Sequence, residues 1–88
     1  IMSRPYTESV TEEYTVREFS SNTSAFEFVW HRDKEDRIVQ AMHQTDWKFQ
    51  LDNNTPQVLS ENTLFIPKET YHRLIKGTGN LKVKIFKL

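Results

Sequence analysis

The chain has 88 residues, 36% of them hydrophobic and 27% charged, a balance that suits a folded chain with one modest core rather than a disordered segment. That length excludes a two-domain enzyme, a kinase or a dinucleotide-binding fold with its own substrate domain. Twelve basic residues balance twelve acidic ones and there is no cysteine. No bulk field therefore draws the chain to nucleic acid or an anionic membrane, and disulfides, thiolate zinc sites, iron–sulfur clusters and cysteine nucleophiles are excluded.

No apolar run approaches the roughly 20 residues that span a bilayer, and no signal peptide is visible. Together with the missing cysteines this leads to a cytoplasmic expectation. Ile1 ahead of Met2 reads as an expression remnant, and the two N-x-S/T matches, at Asn22 and Asn53, read as chance.

Residues 1–20 read as an N-terminal arm or an edge strand. Tyr14, Val16 and Phe19 are the strand candidates, and residues 1–9 have little to bury, so they are either loose or cross to a partner subunit. Beyond them, helical periodicity is almost absent and apolar residues alternate with polar ones, as in half-buried strands. Strands are predicted around Phe26, over Arg37–Met42, and over Trp47–Leu51, where Trp47, Phe49 and Leu51 alternate with Lys48 and Gln50. Asp52-Asn53-Asn54-Thr55-Pro56 is rich in turn formers. Leu64-Phe65-Ile66 is a short strand stopped by Pro67, and Tyr71–Ile75 is another. Gly77-Thr78-Gly79-Asn80 reads as a hairpin-type turn before a last strand over Leu81–Leu88, whose Lys82, Lys84 and Lys87 read as a solvated face guarding a sheet edge. Many short strands separated by turns predict an all-β sandwich or barrel.

The densest polar cluster is Trp30–Arg37. His31 and Asp33 are two apart, so extended chain points both to one side, and imidazole and carboxylate are both competent ligands for a divalent transition metal. The plain alternative is a charged loop between strands. His31-Arg32-Asp33 also imitates a kinase catalytic loop, but the position of that loop's asparagine holds Ile38, and the Gly-rich and D-F-G segments are missing. His72, which opens the strand after Pro67, is the candidate third ligand; without that role it is a rim histidine beside Tyr71. His43 lies at a strand end and reads as a surface or rim residue. No serine sits in a nucleophile elbow.

These segments together resemble a small single-domain cupin with an RmlC-like jelly roll over residues 28–86, and are similar to short cupin-like proteins of phages and bacteria. His31-Arg32-Asp33 falls on that family's H-x-H, and Arg37 to Gln44 on the strand that runs from its glutamate to its glycine. Glu61 to His72 falls on the second motif, with Ile66-Pro67 and His72 in register. The departures are Asp33 for the second histidine, Arg37 for the glutamate, and Gln44, Glu61 and Glu69 for glycines. The resemblance implies an all-β, single small jelly-roll barrel or sandwich spanning residues 1–88, dimerising because so small a core is marginal alone. It implies a metal set reduced to His31, Asp33 and His72 for iron, zinc, nickel or manganese, with Gln50 beside it as a ligand-binding residue.

Arg37 stands against that metal, because a guanidinium keeps its charge. Three readings follow. The first is a metal-binding cupin with an open site. The second is a metal-free module in which Arg37, Arg73 and His72 bind a small anionic or sugar-like ligand. The third is a non-enzymatic structural subunit. A homodimer is expected under all three.

Overall fold

The computed structural model describes residues 6–22 and 28–88. Its described residues form eight strands and no helix: β1 Tyr6–Val10, β2 Thr15–Phe19, β3 Arg37–Ala41, β4 Lys48–Leu51, β5 Gln57–Val58, β6 Leu64–Ile66, β7 His72–Ile75 and β8 Leu81–Lys87. They make a five-stranded sheet in the order β1-β2-β8-β3-β6 and a three-stranded sheet in the order β5-β4-β7, with every pairing antiparallel. The all-β expectation stands, and among the described residues no helix is long and apolar enough to cross a membrane.

The core lies between the sheets and follows from alternation along each strand. Leu81, Val83 and Ile85 of β8 are buried, as are Val39 and Ala41 of β3, Phe19 of β2 and Ile66 of β6. Trp47 and Phe49 face them from the smaller sheet, and Trp47 is fully buried. Its ring stands edge-on to Phe28 at 5.6 Å and lies 6.0 Å from Phe19, a spacing typical of favourable aromatic pairs. Its indole Nε1 donates to the Gly79 carbonyl at 3.1 Å, so the polar end of the largest buried side chain is satisfied.

Several expectations change. Residues 6–10 form the edge strand β1, and β2 lies inside the sheet between β1 and β8, because Glu8–Arg17 and Tyr6–Phe19 give this hairpin its own inward contacts. β8 is likewise interior, so its lysines face solvent without guarding an edge. The strand expected around Phe26 falls partly outside the described residues, and Phe28 to Trp30 are not strand. Gly77–Asn80 joins β7 and β8, which belong to different sheets, so it is a crossover rather than a hairpin. Gly77 is needed there: a Cβ would collide with Asp46 Oδ1 and come within 2.7 Å of Trp47 N. Asp46 in turn accepts hydrogen bonds from the amide and hydroxyl of Thr78, both at 2.8 Å, which hold its carboxyl below the usual carboxylate range. The turn at Asp52–Pro56 does close a hairpin, between β4 and β5, with Asn53 at a φ of 62°.

Candidate metal centre

His31 and His72 meet as an isolated antiparallel bridge, with His31 N donating to His72 O at 3.0 Å and His72 N to His31 O at 2.8 Å. Residues directly opposite each other share a face, so the two rings come together with centroids 4.3 Å apart. Asp33 follows on the same side. The turn after Pro67 holds it there: Glu69 N donates to Asp33 O at 2.7 Å, and Lys68 N to Asp36 Oδ1 at 2.7 Å. Glu69 occupies the motif's glycine position and takes the left-handed φ of 60° itself, a conformation that costs a non-glycine residue about 1–2 kcal/mol. The turn geometry is thus kept without the glycine.

Both imidazoles are oriented by backbone. His31 Nδ1 lies 2.8 Å from Val29 O, and His72 Nδ1 lies 2.9 Å from Thr70 O. A carbonyl only accepts, so each Nδ1 carries a proton, and in the neutral ring Nε2 keeps its lone pair. Phe49 stacks on the His72 ring at 5.4 Å and 24°. Burial lowers the His72 pKa; the Thr70 bond opposes this, His31 and Arg37 add to it, and Asp33 pulls the other way. Burial thus favours the neutral form of His72. In that form its Nε2 faces Asp33 Oδ2 across 3.2 Å as one acceptor opposite another, and this buried oxygen has no hydrogen-bond partner among the described residues. His31, Asp33 and His72 each offer one ligand atom, all within 4.8 Å of one another.

Arg37 opens β3 at the side of this cluster. Its Nη2 donates to Glu35 Oε1 at 2.8 Å, its Nη1 lies 3.4 Å from Asp33 Oδ2, and its Nε is buried without a partner. The bond from Arg37 holds the Glu35 carboxyl below its ordinary value. The structure does not bring the other two predicted ligand-binding residues to the site. Gln50 and Arg73 are cross-strand partners that alternate with Phe49 and His72 and so face the opposite way. Arg73 Nε donates to Gln50 Oε1 at 2.9 Å, the Arg73 guanidinium lies over the Trp30 ring, and Gln50 Nε2 donates to Asn54 O. His43 is outside the cluster as expected, with Nε2 accepting from Lys82 N at 3.0 Å.

A cavity of about 130 Å³ runs inward from the cluster. One end is polar, with His31, Asp33, Arg37 and His72; most of the remainder is apolar, built from core residues such as Val39, Phe49, Leu59 and Ile66. Tyr6 and Arg17 also line it. The sequence pattern leaves them out of the site because it marks their segment only as an arm or an edge strand. The available signal was the alternation that puts Arg17 and Phe19 on one face of β2.

No family model and no curated protein matches the sequence. Solved structures do resemble this one. A cupin domain from Bordetella pertussis aligns with a TM-score of 0.62 at 20% identity, covering 99% of this chain and 98% of that one. An RmlC-like cupin family protein with a double-stranded β-helix fold, from Methanocaldococcus jannaschii, aligns at 0.66 and 10% identity, covering 97% and 81%. DMSP lyase DddQ from Ruegeria pomeroyi aligns at 0.71 and 11% identity, covering 88% of this chain. The chain spans only 39% of that lyase's length and 36% of a second DMSP lyase structure. The two antiparallel sheets, the paired motifs at their mouth and these likenesses together establish that the chain has the cupin, RmlC-like jelly-roll fold.

Proposed function

We propose that this cupin-fold chain holds one divalent transition metal through His31, Asp33 and His72 and binds a small molecule beside it in the cavity. The observation that carries this reading is the convergence of one ligand atom each from His31, Asp33 and His72 within 4.8 Å, with the buried Asp33 Oδ2 facing His72 Nε2 at 3.2 Å. Two acceptors at hydrogen-bond distance repel unless a proton or a cation lies between them. The residues therefore fit the metal that this fold commonly carries. Two imidazoles and a carboxylate suit iron, zinc, nickel or manganese, and a metal so held supplies Lewis-acid polarisation at its remaining open positions. The chain's own contribution is to orient each ring through a backbone carbonyl, to brace His72 with Phe49, and to keep the inner cavity apolar.

Arg37 is reconciled with a metal through Glu35, which takes up its charge at 2.8 Å. The metal-free alternative loses support because Arg73 is turned away and because, without a metal, the two carboxylates beside Arg37 outweigh its charge.

Protein purified without an affinity-metal step is expected to carry close to one equivalent of transition metal by elemental analysis. His31→Ala or His72→Ala should lower metal affinity by at least about 100-fold, because losing a ligand costs more than the 10–100-fold typical of residues that only orient one. Retention should fall below about pH 6, since imidazole must be neutral to ligate. Folded-state stability should move the same way. The folded His72 pKa lies below its ordinary 6.5, so the unfolded chain takes up the proton first. Stability is full above pH 6.5 and declines as pH falls through the folded value. Metal content that stays constant down to pH 5 would overturn the assignment.

A second copy of the chain is the assembly this reading includes. Phe65, Ile38 and Phe86 are cross-strand partners on the outer face of the larger sheet, and Tyr14 lies 5.6 Å from Phe86. Phe65 is 50% exposed. This apolar row across strands β6, β3 and β8 supports a homodimer. Light scattering should give twice the chain mass, and Phe65→Lys should give a monomer; a monomeric parent protein refutes the dimer.

A further inference from the structure

We propose that the ligand of this site is a small monocarboxylate with a branched apolar tail, and that Arg37 receives its carboxylate only when the metal is bound. This rests on the metal reading above and names the ligand class that the reading leaves open.

Charge sets the sign. Asp33, Glu35 and Arg37 together carry one net negative charge, which disfavours an anion. A dication reverses it to one net positive charge, and a single carboxylate then brings the site to neutrality. The metal also changes what Arg37 requires. In the structure its Nη1 lies 3.4 Å from Asp33 Oδ2, the oxygen that a metal claims. Its Nε is already a buried donor without an acceptor. Leaving a buried donor unmade is costly, and a guanidinium is the side chain best shaped to hold a carboxylate. The other guanidinium lining the cavity, Arg17, is taken by Glu8 at 2.8 Å and lies over the Tyr6 ring. Arg37 is thus the cation with an open N–H at the polar end.

Shape sets the tail. Past the polar end the wall is mostly apolar, with Val39, Phe49, Leu59, Ile66 and Leu74; the other polar side chains lining it are Tyr6 and Arg17, and Arg17 is held by Glu8. The volume is about 130 Å³, close to the cavity of roughly 150 Å³ that takes up benzene. That admits a tail of about four or five carbons and excludes a hexose.

The experiment titrates the whole chain with Co2+ at neutral pH, followed by visible absorption, with and without isovalerate. Coupling between two ligands is reciprocal, so isovalerate should tighten Co2+ binding by roughly fivefold or more. Isovaleramide, which has the same shape without the charge, should not, and acetate should do so less. Arg37→Gln should still bind Co2+ but lose the isovalerate effect. If the parent protein binds no Co2+, the metal reading itself fails. If it binds Co2+ and isovalerate changes nothing, or isovaleramide works equally well, this inference alone is overturned. The amide and acetate comparisons use the parent chain, so the outcome does not depend on how the variant folds.

Discussion

Arg37→Glu is expected to destabilise the metal-free protein and, in the same molecule, to tighten its hold on metal. The side chain is largely buried between Asp33 and Glu35. Replacing the guanidinium removes the cation both carboxylates face and adds a third negative charge. Breaking a buried charged pair in this way costs about 3–5 kcal/mol. Glu35 is partly exposed, which places the expected loss near the lower bound. At roughly 4–8 °C per kcal/mol for a domain of this size, the melting temperature should drop by more than about 10 °C. With metal present the sign reverses. A unit charge at 4 Å in an effective dielectric of 20 repels a like charge by about 4 kcal/mol, and a dication doubles this. Glu35 offsets part of this, so removing what remains and supplying a carboxylate should raise affinity by at least about 100-fold. Melting curves with and without Zn2+, together with a chelator competition, read both halves. A variant that binds Zn2+ no more tightly than the parent would show that Arg37 does not oppose the metal.

Trp47→Ala should unfold the chain or leave it barely folded. Trp47 is fully buried among Phe19, Phe28 and the strands of both sheets. Truncating a buried Trp costs about 3–5 kcal/mol, and a chain of this length has a total stability of about 4–13 kcal/mol. The Gly79 carbonyl also loses its donor on the crossover between the sheets. Trp47→Phe keeps most of the ring volume and should cost about half as much. Urea denaturation followed by far-ultraviolet circular dichroism separates the two variants. A Trp47→Ala protein within about 0.5 kcal/mol of the parent would mean that this ring is not what joins the sheets.

The geometry of the two motifs explains why the convergence of His31, Asp33 and His72 is legible in the sequence. His31 and Asp33 share a side because extended chain has a period of two. His72 follows Ile66-Pro67 at a fixed distance because a proline stops β6 and a short turn reopens as β7. The likeness to cupins then placed the two segments against each other. Arg37 was visible as a conflict, but its resolution through Glu35 depends on a side-chain rotamer that no spacing encodes.

Gln50 and Arg73 show the limit of that reading. Alternation reveals that Phe49 and Gln50 point to opposite faces, yet not which face turns inward; packing of Phe49 on His72 decides it. Residues 6–19 show the same limit at the level of strands. Local pattern marks Tyr14, Val16 and Phe19 as strand-forming, whereas the position of β2 between β1 and β8 comes from long-range hydrogen bonds.

Strands such as β3, β4, β6 and β8, the turn at Asp52–Pro56 and the set of metal-competent side chains are therefore local properties, set by residue type and by a two-residue period that operates within a few positions. Sheet membership, the inward face of each strand, the partner of Arg37 and the cavity are properties of segments tens of residues apart. They arise only when burial of Trp47 and its neighbours outweighs the entropy of bringing those segments together.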